Sequence, residues 1–116
     1  MTGNIKNFHL GASYTTTGTK STLGLTTGNI YKFLLGSVIS YTQGASVTCQ
    51  LFVNNTGTTQ MNLAQLNAST NRDAVTPLQH LGVYQANASD DLLVVVGAIS
   101  GTINIQASLS YLESIP

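Results

Sequence analysis

From Ile103 to Tyr111 apolar and polar residues alternate without a break. Ile103, Ile105, Ala107, Leu109 and Tyr111 fall on one side; Asn104, Gln106, Ser108 and Ser110 fall on the other. A period of two belongs to a strand with one buried face, and it conflicts with the 3.6-residue period of an amphipathic helix. The same period runs through Ala45, Val47, Cys49, Leu51 and Val53, interleaved with Ser46, Thr48, Gln50 and Phe52. A slip of one residue would turn either set outward, so the pattern predicts the register as well as the strand.

The segments around these two read the same way. Leu92 to Ile99 is apolar at nearly every position, as expected of a strand covered on both faces. Gly97 and Gly101 punctuate its end, and Ile99-Ser100-Gly101-Thr102 predicts a tight hairpin into the Ile103 strand. Asn29 to Ser40 is strand-like, with Gly36 as a bulge or bend. Turn clusters at Tyr41-Thr42-Gln43-Gly44 and Asn54-Asn55-Thr56-Gly57 flank the Ala45–Val53 strand. Gln60 to Leu66 reads as a strand, because Asn67-Ala68-Ser69-Thr70-Asn71 ends it too early for a stable helix. Thr76 precedes Pro77 and is biased to extended geometry; Leu78 to Tyr84 is a further strand, interrupted by Gly82, and Asn87 to Asp91 is a loop.

Turns at intervals of about ten residues are those of a sandwich or barrel. The expected fold is all-β, an antiparallel β-sandwich of about eight strands, jelly-roll-like. An immunoglobulin-like sandwich ranks second, since its central Trp is missing here. The 116 residues suffice for one domain. Residues 29–116 make the β-sandwich domain. Residues 1–28, rich in Thr and Gly with scattered apolar positions, form either an N-terminal arm or the first strands.

Composition removes several classes of function. Charged residues are 7% of the chain, against roughly a quarter in an ordinary soluble domain. Four Lys and Arg balance four Asp and Glu. Neutralising several phosphates takes several basic residues on one face, so no nucleic-acid partner is expected. A polybasic membrane patch fails on the same count. The longest apolar run, Leu92 to Ile99, is far short of the roughly 20 residues of a membrane span. Met1 to Lys6 has no apolar stretch after a basic start, which argues against a secretory leader and makes the Asn-x-Ser/Thr triplets at Asn54, Asn67 and Asn87 compositional.

The residues that carry chemistry elsewhere have no supporting pattern. His9, His80 and Cys49 lack metal-ligand spacing, so neither a metal nor any other cofactor is expected. Cys49 sits mid-strand on the apolar side and reads as a small buried hydrophobe. Asp90-Asp91 would suit calcium, yet adjacent acids at the foot of a strand more often form turns. Arg72-Asp73 reads as a solvated loop pair. Acid–base glycosidase chemistry would have to recruit Asp73, Asp90, Asp91 or Glu113, none of them in a recognisable context. No catalytic residue is assigned, and an enzyme is not expected. Tyr31, Phe33, Phe52 and Tyr111 fall within strands and read as core or sheet-face residues. Phe8, Tyr14, Tyr41 and Tyr84 lie nearer segment ends, where exposed contacts are made.

A surface of hydroxyls and amides with almost no charge lacks the self-repulsion that keeps proteins apart, and it lacks the charged residues that usually guard strand edges. In this texture, above all in Ala45–Val53 and Leu92–Tyr111, the chain resembles small virion proteins of tailed bacteriophages, and most of all their capsid decoration (cement) proteins. The resemblance implies a protein on the capsid exterior of the virion, made in the host cytoplasm. It would bind the major capsid protein, often as trimers at symmetry axes, and stiffen the head. No catalytic residue comes with it. On this reading the chain is a homo-oligomer, a trimer first, and Phe8, Leu10, Tyr14, Leu23 and Leu25 are the candidate partner-binding residues. The alternative is a tail-fibre, spike or lectin-like host-recognition module that binds glycans, for which aromatic residues grouped on a loop-formed concavity would speak.

Overall fold

The computed structural model describes residues 3–41, 46–68, 74–78 and 82–116. Among the described residues nine strands follow one another: β1 (Gly3–Tyr14), β2 (Gly18–Gly24), β3 (Ile30–Tyr41), β4 (Ser46–Asn55), β5 (Thr58–Ala68), β6 (Ala74–Pro77), β7 (Val83–Gln85), β8 (Asp90–Ser100) and β9 (Ile103–Ser114). They build two sheets with every pairing antiparallel. One sheet has the order β1-β9-β3-β6, with β7 also on β3; the other has the order β2-β8-β4-β5. Among the described residues there is no helix. Counting β6 and β7 as two pieces of one strand, this is an eight-stranded jelly roll, two interleaved Greek keys folded into a sandwich.

The alternating segments set the core. Ile103, Ile105, Ala107, Leu109 and Tyr111 are buried, while Asn104, Gln106 and Ser108 are exposed. From the facing sheet come Val47, Cys49, Leu51 and Val53 of β4 and Leu92, Val94 and Val96 of β8. β9 is central in one sheet, and β4 and β8 are central in the other, so the strands with the cleanest patterns are the ones with neighbours on both sides.

Several expectations are corrected. Ile99-Ser100-Gly101-Thr102 does not close a hairpin: β8 and β9 belong to different sheets, and the turn, with Gly101 at φ 80°, carries the chain across the sandwich. Local sequence fixes that a turn occurs there but not which strands pair. β8 is not covered on both faces. Leu92, Val94 and Val96 point into the core, whereas Leu93 and Val95 are half-buried on the outer side and Ala98 is exposed. The bulge in β3 falls at Leu34, between Phe33 and Leu35, and not at Gly36. Gly36 instead permits close approach: a Cβ there would lie 2.4 Å from the Ser108 carbonyl oxygen. Of the strand expected over Leu78 to Tyr84, Leu78 and Gly82 lie in no strand, Val83 and Tyr84 belong to β7, and residues 79–81 lie outside the described residues. The turn residues 42–45 and 69–71, the pair Arg72-Asp73 and His80 lie outside the described residues.

Residues 3–24 contribute the edge strand β1 to one sheet and the edge strand β2 to the other. The β4–β5 hairpin turns on Thr56 (φ 43°) and Gly57 (φ 88°), both left-handed as a two-residue type I′ turn demands.

Candidate functional site

At one end of the sandwich β2 hands over to β3, β7 hands over to β8, and the β4–β5 hairpin turns. The backbone pairing of each sheet runs on past the strand ends there: Leu25 N–H donates to Asp90 O (3.0 Å), continuing β2–β8, while Gly28 N–H donates to Ala86 O (2.8 Å) and Ala86 N–H to Asn29 O (3.0 Å), continuing β3–β7. Two carboxylates close this end, and both are held by named donors.

Asp90, 1% exposed, opens β8. Asn55 Nδ2 donates to its Oδ1 at 2.8 Å; Tyr84 Oη and the Asn87 backbone N–H donate to its Oδ2 at 2.5 and 2.7 Å. The same Asn55 amide also reaches Ala88 O at 2.9 Å. Ser89, at φ 69°, makes the turn that brings the carboxylate back onto Asn87. Burial alone would raise this carboxyl's pKa, but the bonds from Tyr84, Asn87 and Asn55 outweigh it and hold Asp90 below its ordinary value. Its oxygens face donors on three segments, the environment of a structural carboxylate.

Glu113 lies on the core side of β9 and meets Lys6, Asn29 and Tyr31. Lys6 Nζ donates to Oε1 at 2.7 Å; Asn29 Nδ2 and Tyr31 Oη donate to Oε2 at 2.8 Å each. Tyr31 Oη in turn accepts from Thr26 N–H at 2.8 Å. The Lys6 bond, then that of Asn29, lowers the Glu113 pKa; Lys6 is raised in return. The Tyr31 and Tyr111 rings pack at 5.9 Å, tilted by 42°, beneath this network.

Both oxygens of each carboxylate are occupied by donors of the same subunit. Burial pushes the Cys49 thiol up to about 11, so the sulfur stays protonated and is a packing residue. Among the described residues no three of His, Cys, Asp and Glu gather as metal ligands.

The five candidate partner-binding side chains face the sandwich interior. Phe8 and Leu25 are buried in the core, while Leu10, Tyr14 and Leu23 are half-buried and pack against it. Lys20 Nζ sits 5.1 Å above the Tyr14 ring. Phe33 and Phe52 are buried and Tyr84 is half-buried; no described aromatic side chain is exposed. Among the described residues the exposed large aliphatic ones are Ile5, Leu35, Val83 and Ile115. Three of them share the outer face of the five-stranded sheet. Ile5 pairs with Leu112, Leu112 with Lys32 and Lys32 with Val83, one row across four strands, and Leu35 stands in the next row opposite Ser110. Sequence reasoning passed over these residues. Ile5 and Leu35 carry the only available signal, since each puts an aliphatic side chain on the polar side of an alternating strand.

No family model matches the chain, and no curated protein matches it. Among solved structures, a chain from the structure of infectious bursal disease virus, Gx strain, aligns over 96% of this chain at 10% identity with a TM-score of 0.41. The chain spans about a third of that chain's length (31%).

Proposed function

We propose that the chain is a structural virion protein that seats on the outer surface of a phage capsid and stiffens it, acting in several copies. The observation that carries this reading is the disposition of its side chains. The described aromatic residues are buried or half-buried, the carboxylates of Asp90 and Glu113 are engaged inside the subunit, and the outer sheet faces offer hydroxyls, amides and aliphatic groups with few charges. Such faces suit broad contact with another protein surface. Among the described residues they present no exposed aromatic platform on which a glycan stacks.

Purified chain mixed with emptied heads of the phage whose genome carries it tests the reading. It should sediment with the heads, and the decorated heads should survive heating that bursts bare ones. With so few basic residues the contact relies on apolar groups and neutral hydrogen bonds, so attachment should persist in moderate salt. Chain that stays in the supernatant, or that is stripped by the first increments of sodium chloride, contradicts the proposal.

A further inference from the structure

Among the described residues, two outer faces, one on each sheet, carry a single charge apiece beside aliphatic residues. On the five-stranded sheet that charge is Lys32, in the row with Ile5, Leu112 and Val83 and next to Leu35. Ile5, Leu35 and Val83 are 64%, 67% and 62% exposed. On the four-stranded sheet it is Asp91, followed along β8 by Leu93 and Val95, with Phe52 opposite Leu93. The other described charges are committed within the subunit. Lys6 pairs with Glu113, the sole ion pair among the described residues, Asp90 is hydrogen-bonded on both oxygens, and Lys20 is bound to Thr16 and stacked on Tyr14. Lys32 and Asp91 form no ion pair among the described residues.

The two faces also match in order. β3 and β8 both start from the end of the sandwich closed by Asp90 and Glu113. Reading away from that end, the outer positions run Lys32 then Leu35 on β3, and Asp91 then Leu93 and Val95 on β8. Two upright copies laid side by side therefore present cation to anion and aliphatic to aliphatic in the same order. We propose that copies of this chain stack in this way, the outer face of the five-stranded sheet of one copy against the outer face of the four-stranded sheet of the next, with Lys32 opposite Asp91. The contact is heterologous, so it generates a ring or a row of copies rather than a closed two-fold pair. It deepens the reading as an assembling virion protein and rests on that reading only for its setting.

Sedimentation velocity of the full chain over a rising concentration series tests the contact, with circular dichroism confirming that each variant is folded. The unaltered chain associates. Lys32→Asp or Asp91→Lys alone weakens association by about tenfold or more, because like charges then meet across the contact. The double variant carrying both reversals recovers it, and Leu35→Asp weakens it without affecting the fold. A chain monomeric throughout, or a double reversal no better than the single ones, overturns the proposal. The two readings fail separately. A chain that binds heads yet stays monomeric removes this contact alone; a chain that stacks yet ignores heads removes the virion role alone.

Discussion

The phenol of Tyr84 donates to Asp90 Oδ2 at 2.5 Å, and through that bond a strand of one sheet is tied to a strand of the other. Tyr84→Phe leaves the carboxylate with two of its three donors and should cost about 1 kcal/mol. Asp90→Asn places an amide N–H against the Tyr84 hydroxyl or the Asn87 N–H and should cost more, roughly 1.5–3 kcal/mol. Urea unfolding of both variants checks the order, which reverses if the carboxylate is dispensable.

Acid should loosen the same end. Asp90 and Glu113 both have pKa values below their unfolded ones, near 3.9 and 4.3 for unperturbed groups. Each therefore adds stability that is complete above the unfolded value and is lost as pH falls through the folded one. Thermal midpoints should be level above about pH 5 and fall steadily below it. In a chain carrying Asp90→Asn and Glu113→Gln that fall should be shallower; an unchanged acid limb would place the sensitivity elsewhere.

Ile105 is fully buried and Asn104 is exposed, one residue away on the same strand. Ile105→Ala should cost about 2–5 kcal/mol and Asn104→Ala under about 0.5 kcal/mol. Equal losses in denaturant unfolding would mean that the register of β9 is shifted by one.

Thr56 holds a left-handed backbone at φ 43°, a conformation that a β-branched residue adopts at a cost. Thr56→Asn creates the Asn-Gly pair that type I′ hairpins favour and should raise stability by about 0.5–1 kcal/mol, even though the Thr56 hydroxyl bond to Asn55 (3.0 Å) is lost. A lower thermal midpoint in the variant would show that the hydroxyl matters more than the backbone.

What the sequence revealed and what it hid follow one physical line. Alternation is a local signal, and it located the inward rows of β4 and β9 because burial of one face is written in adjacent residues. Partnership between strands is not local. The turn at Gly101 looked like a hairpin because nothing in Ile99–Thr102 records that β9 pairs with β1 and β3 instead of β8. The two carboxylate networks escaped for the same reason. Glu113 meets Lys6 and Asn29, and Asp90 meets Asn55, only after distant segments have converged. Phe8, Tyr14 and Leu25 were read from their place near the start of the chain; within the subunit they point inward because β1 and β2 lie over the core as edge strands.

Electron cryomicroscopy of the virions that carry this chain tests the central claim most directly. The account predicts density for the sandwich repeated at regular lattice positions over the outside of the head. Density confined to the tail tip, or heads bare of it, would contradict the account.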